Sequence, residues 1–266
     1  MRNVLIERIS GGGQCYFKLG FTLAEVLITL GIIGIAAVMT LPAIFQKQNE
    51  KVTVSRLKKT YSIASQGFLS AVNDNGFIDN WDLIEFNSDT GAENLLKNLI
   101  PYFKFTKVCG SQRGCLADIV YKDISGKDSG YGDKSDIYAK ARLSDGTFFY
   151  VQVTNPDCSS ILYSGKPGIC GGLYIDINGT GKPNQYGVDL FVFHIAKNGL
   201  LIPGGDTSVI RENHTFEYNC LNKITNNFIA GGGCTAWVLY NENMDYLHCN
   251  DLSWNGKHSC KQKSRK

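Results

Sequence analysis

No C-x-x-C pair, internal repeat, low-complexity tract or long linker occurs in this 266-residue sequence. Without C-x-x-C spacing the cysteines lack the usual arrangement of a zinc site. H-E-x-x-H, G-x-S-x-G and G-x-x-x-x-G-K-[ST] are missing too, which removes the common signatures of metalloproteases, serine hydrolases and P-loop nucleotidases. Histidines number only four. His194 falls in an alternating strand pattern and reads as packed, while His214, His248 and His258 have no ligand spacing to one another. Enzymatic activity is not expected. Charge of one sign is not in excess either: 27 Lys and Arg stand against 24 Asp and Glu, a net +3, so the bulk charge gives no signal for nucleic acid.

Charge is locally absent in one place. Between Phe21 and Phe45 the single ionisable side chain is Glu25. Residues 26–45 are twenty uncharged residues, about 30 Å of helix, which is enough to cross a hydrocarbon core. A carboxylate in that setting costs about 2.5–3.5 kcal/mol on insertion scales. It needs a partner, or a place near the helix end within reach of interfacial water. One membrane segment and one globular domain of roughly 190 residues account for the length.

Cysteine is what the chain does have. Of nine, Cys15 precedes the apolar run and eight follow it in neighbouring couples: Cys109 with Cys115, Cys158 with Cys170, Cys220 with Cys234, Cys249 with Cys260. An even set of this size reads as disulfides in a domain outside the cytoplasm. Sequential pairing is the preferred arrangement among 105 formal connectivities.

The leader does not read as an ordinary secretory signal. Such a signal is cut after its apolar stretch, whereas the best A-x-A-like match here, Gly34-Ile35-Ala36, falls in the middle of it. The polar segment with Arg2, Arg8 and Lys18 ends at Gly20, immediately before the run begins. Glycine lies extended in a protease groove without a side chain to clash. Gly20-Phe21-Thr22-Leu23-Ala24-Glu25, followed by about twenty apolar residues with Pro42 among them, resembles the prepilin cleavage and methylation motif. That motif is shared by type IV pilins, the pseudopilins of type II secretion and the competence pilins. The resemblance covers residues 16–45. It implies cleavage between Gly20 and Phe21 by a prepilin peptidase and methyltransferase, N-methylation of Phe21, and pairing of Glu25 with the Phe21 amine of a neighbouring subunit. It also implies a kink or local melting at Pro42. Other pilin or pseudopilin subunits and an inner-membrane assembly platform are the implied partners. Two departures stand out: Glu7 lies in the leader, and Leu19 occupies the place where the family carries a basic residue. Three basic residues precede the run and five follow it closely (Lys47, Lys51, Arg56, Lys58, Lys59), against the positive-inside rule. The cysteines and the cleavage motif nevertheless place the head outside the cytoplasm.

Beyond the apolar run, Val54, Leu57, Tyr61, Ala64, Phe68 and Val72 recur at helical steps, and Asn73-Asp74-Asn75-Gly76 ends the pattern with turn chemistry. Residues 21–73 are expected to form one helix. A second helix is expected over 92–100, ending at Pro101. Strands follow: a hairpin of 137–143 and 147–153 around Asp145-Gly146, then 172–177, 188–195 and 200–202, the last two joined by Asn198-Gly199. Residues 236–244 fit a strand or a short helix. The expected fold is α+β, a long N-terminal helix packed on a mainly antiparallel, disulfide-bonded head. Its divisions are a leader at 1–20, a transmembrane and polymerisation helix at 21–45, an amphipathic continuation at 46–73 and a head at 74–266.

Two stretches of the head raise binding questions. In 176–189, Asp176, Asn178, Gly181 and Asn184 fall on positions 1, 3, 6 and 9 of a twelve-residue calcium loop, with Asp189 as substitute carboxylate because position 12 is Gly187. The other reading is a glycine-rich connection between strands. The tail at 257–266 holds five Lys or Arg and no acid, which fits phosphate-backbone capture or simply a solvated tail. The functional expectation is a prepilin-like structural subunit of a pilus or pseudopilus, a single-pass membrane precursor with its head in the periplasm or at the cell surface. The alternative is a membrane-tethered binding module, an adhesin or DNA-uptake receptor, that does not polymerise.

Overall fold

A computed structural model describes residues 21–221 and 230–262. The leader, including Cys15 and Gly20, and the tail residues 263–266 lie outside the described residues. The chain divides into two compact units, Met1–Asn49 and Glu50–Lys266. The first helix, α1, runs Leu23–Asn75 and passes through Pro42 without a break, so the local melting expected there is not seen. Within the first unit its apolar side chains are exposed, Met39 by 75% and Ile33 by 62%.

In the second unit α1 changes character. Val54, Leu57, Ala64 and Phe68 are buried, Tyr61 and Val72 half-buried, while Arg56, Lys58 and Lys59 stay exposed. Thr60, Gly67 and Ala71, between the apolar steps, are buried as well. After the turn, α2 (Asp89–Leu99) begins at Ser88, whose hydroxyl accepts from the Gly91 N–H and so satisfies one of the free amides of the first turn.

Eight strands follow among the described residues: β1 (Phe105–Gly110), β2 (Val120–Lys122), β3 (Asp128–Gly132), β4 (Ala139–Leu143), β5 (Phe148–Val153), β6 (Ile169–Asp176), β7 (Leu190–Ala196) and β8 (Leu201–Pro203). Six form an antiparallel sheet in the order β1-β4-β5-β6-β7-β8, and β2 pairs with β3 beside it. The period of two sorts the central strands. Phe149, Val151, Leu173, Ile175, Phe191 and Phe193 face the core shared with α1 and α2, where Phe68 lies 6.4 Å from Phe149 and Tyr61 stacks 5.3 Å from Phe193. Burying one such side chain stabilises by about 1.5–3 kcal/mol. Phe148, Tyr150, Tyr174 and Val192 take the opposite face, covered by Tyr121, Tyr138 and Tyr186.

Turns meet their expected chemistry. Gly146 closes the β4–β5 hairpin at φ +92°, and Gly199 joins β7 to β8 at φ +80°. A Cβ on Gly199 would lie 3.0 Å from the Phe68 carbonyl, so the turn passes close beneath α1. Residues 236–244 resolve toward helix, as α3 (Thr235–Asn241). The four sequential cysteine couples are the four disulfides.

Candidate functional site

Of the residues expected to serve cleavage and assembly, Phe21, Glu25 and Pro42 are described and Gly20 is not. Phe21 is 87% exposed. Thr22 and Glu25 form a capping box at the start of α1. Glu25 Oε2 accepts from the Thr22 N–H (2.9 Å) and hydroxyl (3.0 Å), and the Glu25 N–H donates to Thr22 Oγ1 (3.2 Å). The signal was legible, since T-x-x-E ahead of an apolar run is this pattern, but the reading of Glu25 as an assembly residue passed over it. Only one carboxylate oxygen is engaged in this way, so Oε1 has room for a second donor.

The four calcium candidates do come together. Asp176 ends β6 and Asp189 directly precedes β7, so the two ends of the loop meet at its neck. Asp176 Oδ1 accepts from the N–H groups of Asn178 (3.1 Å) and Gly179 (2.9 Å), and its Oδ2 from the Tyr121 hydroxyl (2.7 Å). Asp189 Oδ2 accepts from the Asn184 N–H (2.8 Å) and the Asn178 amide nitrogen (3.2 Å), and its Oδ1 from the Gln185 N–H (2.6 Å). Burial, and then repulsion from Asp189, push the Asp176 carboxyl up to about 8; burial raises Asp189 too. Thus each carboxylate oxygen already holds a donor, three of them from the loop and one from Tyr121 on β2, and Asn178 Oδ1 is buried without a partner. No three His, Cys, Asp or Glu side chains converge on a metal position among the described residues. The geometry is that of a hydrogen-bonded strand connection carrying two mutually repelling acids.

Tyr121, which reaches Asp176, belongs to a hydroxyl-bearing aromatic layer with Tyr150 at 3.0 Å. Sequence reading missed it because the tyrosines lie on separate strands and on the loops between them. Lys140 was also missed. It is fully buried, and its ammonium donates to the Gln112 (2.9 Å) and Asp133 (2.8 Å) carbonyls, while Asp133 Oδ2 accepts the N–H groups of Leu116, Ala117 and Asp118. These two charges fix the segment bridged by Cys109–Cys115. In the tail, Lys257 is paired with Asp251 at 2.8 Å, so one of its five cations is already matched. His194 and His214, separate in sequence, stand ring against ring at 5.7 Å.

No family model, curated protein or solved structure matches this chain.

Proposed function

We propose that the chain is a prepilin-like structural subunit, cleaved after Gly20, N-methylated on Phe21 and assembled through its N-terminal helix into a pilus or secretion pseudopilus. The observation that carries this reading is the conjunction of the Gly20-Phe21 junction and Glu25 with a run of exposed apolar residues that is long enough to cross a membrane. Such a surface has two favourable environments, lipid before assembly and the helices of other subunits after it. Continuation of the same helix into a disulfide-bonded head supplies a means of displaying that head on a filament. Glu25 retains an oxygen for the amine that cleavage creates on the next subunit, and pairing removes two uncompensated charges at once. The catalytic role in this reading belongs to the processing peptidase and not to this chain.

Mass spectrometry of the mature protein is the direct test. A chain beginning with N-methyl-Phe21 is expected; an intact chain, or one beginning after Ala36, rejects the proposal and favours a tethered binding module. Glu25→Ala should abolish filament assembly while membrane insertion persists, and unchanged filaments would remove the role assigned to Glu25.

A further inference from the structure

Between Phe45 and Thr60 the sequence places five cations, Lys47, Lys51, Arg56, Lys58 and Lys59, and one acid, Glu50. This basic cluster runs against the positive-inside rule, and the proposed assembly makes no use of it. The structure sorts its members. All five cations are exposed. Lys58 pairs with Glu242 at 2.5 Å and Lys59 with Asp145 at 3.1 Å, so these two are committed to the head. Glu50 Oε1 lies 2.8 Å from His248 Nε2, so the one acid of the cluster is engaged elsewhere. Among the described residues no carboxylate lies within ion-pair distance of Lys47, Lys51 or Arg56.

A face that is merely solvated has no reason to gather unmatched charge of one sign. Lys47 and Lys51 stand one turn apart on α1, an i, i+4 pair of like charges that costs helix stability. An anionic surface beside them turns that cost into attraction. Their place along the helix says which surface. The polar layer of a bilayer is about 5–8 Å deep on each side of the hydrocarbon. At the rise of an α-helix, Lys47 stands about 3 Å beyond Phe45 along the axis, Lys51 about 9 Å and Arg56 about 17 Å. If the apolar run spans the membrane, Lys47 lies within that layer. The long side chain of Lys51 reaches back into it, and Arg56 stands about one Debye length above it.

We propose that Lys47, Lys51 and Arg56 form a contact surface for anionic phospholipid headgroups, continuous with the apolar run and resting on the membrane-spanning reading of that run. A lysine or arginine close to an anionic bilayer surface strengthens the attraction about fivefold, and the effect fades within a Debye length. Lys47 therefore contributes most and Arg56 least.

The full chain is reconstituted into vesicles of equal parts phosphatidylcholine and phosphatidylglycerol, and its lipid contacts are read by electron paramagnetic resonance of spin-labelled forms of each. Phosphatidylglycerol is expected to associate at least fivefold more strongly at low ionic strength. The preference should collapse in about 1 M salt, where the Debye length is about 3 Å. Lys47→Gln, Lys51→Gln and Arg56→Gln together should remove most of it, and Lys47→Gln alone should remove more than Arg56→Gln alone. Lys97→Gln with Lys104→Gln, exposed on the head, should leave it unchanged. A chain that does not enter the bilayer rejects the membrane-spanning reading and this proposal with it. A chain that enters without preference, or with one that survives the triple variant, overturns the proposal alone. If circular dichroism shows the triple variant unfolded, the salt titration of the wild type decides, and a preference insensitive to salt overturns the proposal.

Discussion

Two stretches of α1 both carry apolar side chains and do opposite things with them. Residues 26–45 are apolar on every side and remain exposed; residues 54–72 are apolar on one stripe and bury it. In the second stretch Arg56, Lys58, Lys59 and the polar residues beside them confine the apolar side chains to one face, whereas nothing interrupts the first. A stripe can be covered by a single sheet face, but a helix that is apolar all round needs surroundings that are apolar all round. Within one helix, pattern therefore separates the part that belongs to the core of the head from the part that is long and apolar enough to cross a membrane.

Truncation is the strongest way to break that comparison. Phe68→Ala removes a fully buried ring in contact with Phe103 and Phe149, and should cost about 3–5 kcal/mol of head stability in denaturant titrations of the full chain. Ile33→Ala should leave the head transition in place, and a comparable loss there would mean that the two stretches do not differ. Next in size is the double variant Cys158→Ser with Cys170→Ser, which opens a bridge between β6 and the segment before it and should cost about 2–4 kcal/mol in the same titration.

The acid pair gives a smaller, pH-dependent effect. The folded-state value of Asp176, about 8, lies above its ordinary 3.8, so between those values the native state holds a proton that the unfolded chain has released. This contribution to stability is complete below about pH 4 and is lost as pH rises through 8, at no more than about 1.4 kcal/mol per pH unit. Asp176→Asn should flatten that decline relative to wild type, read from melts at a series of pH values. Calcium that occupied the loop would likewise restore stability near pH 8, whereas a calcium-independent melt favours the plain strand connection. Smallest of all, Lys58→Met should cost about 0.2–1 kcal/mol, because its pair with Glu242 is solvated on both sides. A larger loss would give the charged face of α1 a structural weight that its exposure denies it.

What the sequence made legible follows from the range of each signal. The stripe on α1, the Asp145-Gly146 hairpin and the cysteine couples are local patterns, each readable within a single short window of sequence, and all three appear in the structure. β1, β2 and β3 were not read. β1 carries Lys107 and is largely exposed, β2 has three residues, and β3 contains Gly130 and Gly132. Their pairing comes from neighbours and not from propensity. The candidate sites divide in the same way. Thr22 and Glu25 lie three residues apart and could have been recognised as a cap, whereas His194 with His214, and Tyr121 with Asp176, meet only because separate strands and loops converge.

Two contacts of α1 also bear on the order in which the head can form. Lys58 meets Glu242, 184 residues later, and Glu50 meets His248, 198 residues later. The first element of the head is thus closed by nearly the last. As the chain emerges vectorially, the stripe on α1 waits for strands and for a closing segment that do not yet exist. The bridges Cys220–Cys234 and Cys249–Cys260 lie in that late segment, so neither can close before the end of the chain has emerged. Until then the nascent head depends on whatever shields unfolded chains in its compartment.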